Sequence, residues 1–510
     1  MESHFIQELG DKETRTPELT TFSNTQAPIS KLPPELLGEI FVLAKSHKGD
    51  SYYPNVSDVA LGQRWSNVAG VCRNWREIAL GAPRMWDTLD LPNIRCLEWA
   101  TLLVTRANNA PLRVRCVDQP LSVDRAVLSF VFSRIDTIKD IELGLSLSGR
   151  PKIEEFFGTQ KTAYILQSLR IYRRDTVNDD IPMNGAIHGL LNAIQMPSLR
   201  TLEVTSFSLP QSISPLPQLR RLYYSPPLSG VEEATTSGLL SFLRSAPSLE
   251  ELEIRHPLQP SGGGSTTVTL PNLSFLSYTT TRVEDSALFR FIHYPSSSRI
   301  KFMSSHPPAS GTALCSSDLA TVLTHLSHSD RITKCTVASF VAHGSYFGIL
   351  VEDCHGLVFD LSFTTREGDI LSLLKLSAML PPSGARTLHI CGFHSVSIAD
   401  WGTLLSRHEQ VQDLGVERVD VNFMRALLRP SQTELPPFMQ LKRFIINRCD
   451  IEESAASIER ILVERRELQS PIDVVRISGC RVTVDTINHL EEYADVLWDC
   501  VEVLNPGWIG

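Results

Sequence analysis

The chain has 510 residues, 42% of them hydrophobic, and a formal net charge of −9 with a pI near 5.9. That is enough apolar material for more than one packed core. Neither the total nor any local run of Lys and Arg supplies the basic face that would neutralise a phosphate backbone, so no nucleic-acid partner is expected.

The first 28 residues are polar and threonine-rich, without an apolar stretch of signal-peptide length, and are expected to be a mobile tail. The longest uncharged run, Cys335 to Val351, is broken by Ser339, His343, Gly344 and Ser345 and falls short of a membrane span. No membrane partner is therefore expected, and the cytosol or nucleus is the expected compartment. The 10 cysteines include no Cys-x-x-Cys pair and fit buried thiols of a reducing compartment.

Helix signals begin at Leu32-Pro33-Pro34-Glu35. The two prolines lack N–H groups that a first helical turn would leave unpaired anyway, and Glu35 meets the positive end of the helix dipole. Leu36, Leu37, Ile40, Phe41 and Leu43 then recur at helical spacing. A second helical stripe is made by Val71, Trp75, Ile78 and Ala79, preceded by a long polar span with Gly49 and Pro54 that reads as an enlarged loop. Faces this apolar on helices this short must pack on one another and on something further.

Three ordered blocks carry a family resemblance: Leu32-Pro33-x-Glu35 through Ile40-Phe41, then Val71-Cys72-Arg73-x-Trp75-Arg76-x-Ile78-Ala79, then Pro83-Arg84-Met85-Trp86. Together they resemble an F-box, in the form found in F-box proteins of mushroom-forming fungi. The resemblance covers about 60 residues. It implies docking to the Skp-type adaptor of a cullin-RING ubiquitin ligase. By position, Leu32, Pro33, Glu35, Ile40, Phe41, Val71, Cys72, Trp75, Arg76 and Trp86 would carry that docking or the core beneath it.

Beyond Trp86 a repeat takes over. Four segments, starting at Pro197, Pro217, Pro247 and Pro271, read Pro-x-Leu-x-x-Leu-x-apolar. Leu441 to Ile451 and Ile472 to Val482 match the full leucine-rich pattern, with Cys449 and Cys480 at the turn position. Leu199 to Leu209 matches with Phe207 there. Weaker copies start at Ile138, Leu166, Ile332, Val358, Ala385 and Val411, and the 59 residues from Leu273 to Ile332 need an insertion or an unseen copy. Each copy predicts a short strand with alternate residues inward and an outer helix, as over Ser237–Ala246 and Ser454–Leu468. No copy can bury its apolar face alone, so successive strands should stack in parallel. Pro260–Ser265 and Ser296–Gly311 read as surface loops, and Trp498–Gly510 as a terminal cap.

The fold class expected is α/β: a polar tail over 1–28, a short α-helical F-box over 29–90 and a leucine-rich-repeat solenoid over 91–510. Catalytic signatures are missing. His325 and His328 have no third ligand at metal spacing, and Gly262–Gly264 lacks the Gly-Lys-Ser/Thr of a phosphate cradle. A non-catalytic chain with no cofactor and no metal is expected.

Specificity is expected in the side chains between the inward leucines. The candidates for holding a target protein are Arg221, Tyr223, Glu251, Glu253, Arg255, Phe275, Arg443 and Arg476, because Arg and aromatic anchors dominate protein recognition. The expected role is a substrate-recognition subunit whose target protein the sequence leaves unidentified. The alternatives are a ligase-independent scaffold and a small-ligand receptor with a pocket between residues 279 and 331.

Overall fold

The computed structural model describes residues 28–46, 68–94, 96–117, 124–145, 161–173, 184–210, 213–227, 234–256, 258, 267–280, 288–295, 297–304, 337–343, 346–353, 356–364, 384–393, 396–428 and 435–499. Outside them lie the expected tail up to residue 27, the enlarged loop at 47–67, the Gly262–Gly264 loop, His325, His328 and most of the expected cap. The architecture is α/β with extensive parallel pairing, and the chain divides into two compact units, 1–179 with 185–199 and 180–184 with 200–510.

The first unit opens with helices. Helix α1, Pro34–Ser46, starts on a proline with Glu35 in its first turn and Lys45 in its last, as the dipole favours. Val68–Val71 forms the single turn α2 and Arg73–Gly81 forms α3, whose N-cap Cys72 accepts a hydrogen bond at Sγ from the Trp75 N–H. Helix α4, Leu97–Ala107, and α5, Arg125–Phe132, follow.

Between and after these helices run β1, Thr88–Asp90; β2, Leu112–Cys116; β3, Ile138–Leu145; β4, Lys161–Thr162; and β5, Ser168–Arg173. They are followed by α6, Asn184–Ala193, and β6, Ile194–Gln195. Strands β1, β2, β3 and β5 pair in parallel, aligning buried Leu89, Val114, Ile141 and Leu169 in one row.

In the second unit the recurring segments become β7, Thr201–Thr205; β8, Arg221–Ser225; β9, Glu251–Arg255; the short β10, Val268–Thr269; and β11, Phe275–Thr280. Helix α7, Thr236–Leu243, lies between β8 and β9. Parallel registers bring Leu202, Leu222, Leu252 and Leu276 into one buried row, with Val204, Tyr224, Ile254 and Tyr278 in the next.

Further on come β12, Ile292–His293; β13, Arg299–Ser304; β14, Val337–His343; β15, Tyr346–Asp353; β16, Gly356–Thr364; and β17, Thr387–Cys391. The chain continues with α8, Ile398–Leu405; β18, Asp413–Glu417; α9, Val421–Ala426; β19, Arg443–Asn447; α10, Ile451–Glu467; β20, Val474–Ser478; α11, Val484–Glu491; and β21, Asp495–Trp498. From β17 to β21 pairing is parallel again, and Leu388, Leu414, Phe444, Val475 and Val496 align in a buried row.

One turn recurs at the ends of six strands, β7, β9, β17, β18, β19 and β20. Ser206, His256, Gly392, Arg418, Arg448 and Gly479, each the first residue after its strand, all have positive φ. Ser206, Gly392, Arg418 and Arg448 donate their N–H to the last residue of the next strand: Ser225, Glu417, Asn447 and Ser478. Only two of the six are glycine, so the left-handed cost is offset by a hydrogen bond that repeats. At the other strand end, the carbonyls of Arg200, Arg220, Glu250, Arg386, Gln412 and Lys442 each accept two successive N–H groups from the next copy. Thr235, Ser397, Asp420, Asp450 and Thr483 cap the helices that follow.

Two features depart from the sequence expectation. The copy missing after Leu273 is β13, which pairs in parallel with β11 and buries Ile300 and Phe302. Ser298 is buried two residues before Ile300, where the Leu-x-x-Leu copies bury their leading residue three before, and its hydroxyl donates to the Leu273 carbonyl. Residues 337–364 then form an antiparallel meander, β14–β15–β16, in which β16 pairs in parallel with β13 and β14 with β17. The copy expected from Ile332 begins outside the described residues; on β14, Ala338 and Phe340 are buried and stand in register with Leu388 and Ile390.

Candidate functional site

The helical head of the first unit and the outward sheet face of the second each carry predicted residues. In the head, Leu37, Phe41, Val42, Ala79, Met85 and Trp86 are buried. The rings of Phe41 and Trp75 lie 4.9 Å apart, and the Trp86 indole donates to the Ala79 carbonyl at 2.9 Å. Phe41 and Trp86 are therefore core residues beneath any docking surface, and Trp75 is half-buried against them. Leu32 and Cys72 are also half-buried, whereas Pro33, Glu35, Ile40, Val71 and Arg76 are exposed.

Sequence reasoning treated the apolar residues of α1 as one stripe, but the structure divides them into two. Leu37 and Phe41 face inward. Leu36, Ile40 and Leu43, at i, i+4 and i+7, remain 53%, 40% and 56% exposed. Val71 at 54% and Leu80 at 39% add to the exposed apolar side chains of the head. Leu36, Leu43 and Leu80 were missing from the predicted docking residues. They were legible as helical positions, but inner and outer faces cannot be told apart until the partner helix is placed.

A second residue the sequence did not flag is Lys45. Its ammonium bonds the Arg84 carbonyl at 3.1 Å, the Met85 carbonyl at 3.0 Å and Asp87 Oδ1 at 2.7 Å, tying the end of α1 to the Pro83–Trp86 block. Burial pulls this ammonium below the usual lysine range against the opposing charge of Asp87. Arg84 pairs with Glu39 at 2.9 Å across the same join.

On the second unit, six of the eight predicted target-binding residues fall on three adjacent strands. Arg221, Glu251 and Phe275 share one cross-strand row, with Tyr223 and Glu253 in the next and Arg255 beyond. They satisfy one another: Arg221 pairs with Glu251 at 3.1 Å, Arg255 pairs with Glu253 at 3.0 Å and lies 4.9 Å over the Tyr223 ring, and Arg299 lies 5.4 Å over Phe275.

Arg443 and Arg476 stand apart on β19 and β20. The Asp413 carboxylate grips Arg443 through Nε and Nη2 and holds its guanidinium above the ordinary range, and Arg448 pairs with Glu417 at 3.2 Å. Arg476 has no ion-pair or hydrogen-bond partner among the described residues.

Among the described residues, no group of three or more His, Cys, Asp and Glu is placed to hold a metal ion, and no helix is long and apolar enough to cross a membrane. The Cys449 and Cys480 thiols bond backbone carbonyls, and burial pushes Cys449 up to about 11, which keeps it protonated and unreactive. No family model and no curated protein matches the chain.

Proposed function

We propose that the chain is the substrate-recognition subunit of a Skp–cullin–F-box type ubiquitin ligase. In this reading residues 29–90 are an F-box that docks the adaptor, and the strand-and-helix copies are a leucine-rich-repeat solenoid whose outward face holds a target protein. The observation that carries the reading is the doubled stripe on α1. One face, with Leu37 and Phe41, completes the head's core, while Leu36, Ile40 and Leu43 stay exposed, as do Val71 and Leu80 elsewhere in the head. Large apolar side chains left out at helical spacing, on a head that already has a core, suit a partner's helices.

The chain's contribution to catalysis would be proximity. A target held beside the ubiquitin-charged enzyme meets its thioester at high effective concentration, and no reacting group of this chain is required.

The test is proximity labelling from the tagged chain in cells with the ligase inhibited. The expected result is enrichment of a Skp-type adaptor, a cullin, and at least one further protein whose abundance rises on inhibition. Labelling without adaptor or cullin would refute the assignment.

A further inference from the structure

Among the described residues, the outward arginines of the second unit's strands follow a rule with one exception. Arg221, Arg255 and Arg443 each meet a carboxylate, and Arg299 lies over Phe275. Arg476, in the middle of β20, has aliphatic neighbours in register on both sides: Ile445 on β19 and Leu497 on β21, the latter 46% exposed. These three side chains, with Asn447, Ser478 and Trp498, line a cleft of about 350 Å³.

The geometry points to this cleft as a binding site for an acidic side chain flanked by aliphatic residues, presented by a partner protein. A guanidinium offers a planar fork that matches a carboxylate, and an exposed cation lacking the counter-charge that its neighbours have supplies the complementarity. The Asn447 amide and the Ser478 hydroxyl can add donors, while Ile445 and Leu497 give flanking aliphatic groups a surface to cover. Asp499 also lines the cleft, with Oδ2 accepting the Gly479 N–H at 2.7 Å. Its charge weighs against a dianionic phosphate, which ordinarily calls for several arginines, and favours a singly charged carboxylate. This inference refines the target-holding part of the proposed function and does not depend on adaptor docking.

The probe is an array of short immobilised peptides centred on Leu-Glu-Leu, Leu-Gln-Leu or Leu-phosphoserine-Leu, overlaid with the full chain and with its Arg476→Met and Arg476→Lys variants. The wild type should retain the Glu series over the Gln and phosphoserine series. Arg476→Met should lose roughly tenfold or more, and Arg476→Lys should recover only part of it. Arg476 is exposed, and an unchanged thermal transition of each variant will confirm that the fold persists.

Retention of no peptide by the wild type, equal retention of Glu and Gln, preference for phosphoserine, or an unaltered Arg476→Met profile would each overturn the inference. Adaptor capture measured on the same samples separates the two ideas. Capture without peptide discrimination sinks this one alone, and discrimination without capture sinks only the docking assignment.

Discussion

Replacing Leu252 with alanine probes the stacking that holds the second unit together. Leu252 is fully buried on β9, in register with Leu222 on one side and Leu276 on the other, both also buried. Removing about three carbons forfeits roughly 2.4 kcal/mol of transfer free energy at ~0.8 kcal/mol per methylene. The residual cavity adds to this, because parallel strands on both sides limit how far β9 can relax, and the total should fall at about 3–5 kcal/mol. The control is Glu251→Ala, one residue away on the outward face, which removes a surface ion pair worth about 0–1 kcal/mol. Urea unfolding followed by far-UV circular dichroism should show a large midpoint shift for the first variant, with little change in slope, and a small one for the second. Similar small shifts for both would refute the assigned register.

Trp86→Ala should destabilise the head by about 3–5 kcal/mol, measured by thermal melting of the isolated 28–199 region where that region folds alone and otherwise by hydrogen exchange at Ala79 in the full chain. Buried His408 has its pKa pushed down to about 4 by desolvation. Between pH 6.5 and 4 the unfolded chain therefore binds the extra proton, and stability present above pH 6.5 should fall by up to about 3 kcal/mol as the pH drops through that window. Stability measured against pH in wild type and His408→Leu should reveal this as a slope that the variant lacks. Arg465 is buried in α10 and donates to the Phe438 and Pro437 carbonyls. Arg465→Ala removes the guanidinium donor from both, leaving the Phe438 carbonyl with the Leu441 N–H alone, and should cost about 1–3 kcal/mol in denaturant unfolding. At Gly479 φ is +60° and an added Cβ would sit 3.3 Å from Arg448 Cγ. Gly479→Ala should therefore lower the unfolding midpoint by an equivalent of about 1–2 kcal/mol.

Where leucines recur on a fixed spacing, the inward residues were readable directly. The copies from Leu199, Leu441 and Ile472 bury every patterned position, including Phe207, Cys449 and Cys480. The copy at β13 escaped because the buried residue ahead of Ile300 is Ser298, two residues before it and held by a hydrogen bond to Leu273, so neither the leucine nor the three-residue spacing of the pattern is present. The meander did carry a signal in the sequence, a turn-favouring Gly-Ser pair between two apolar runs, and His343 and Tyr346 stand opposite one another in the antiparallel register. It went unread because the repeat spacing on both sides suggested another parallel copy.

Of the site, residue types were legible but partnerships were not. Tyr223, Arg255 and Glu253 saturate one another, and Arg443 is occupied by Asp413. Which arginine stays unpaired depends on cross-strand register that no local stretch encodes. Lys45 was invisible for the same reason, since its acceptors lie some forty positions further along the chain.

The most direct test is titration of a purified Skp-type adaptor into the full chain, with a Leu36→Ala, Ile40→Ala, Leu43→Ala variant beside it. All three substituted side chains are exposed, so folding should survive. The account predicts specific binding by wild type and a loss of at least about a hundredfold in the variant. Wild type that ignores the adaptor, or a variant that binds it equally well, would contradict the claim that this head is a docking module.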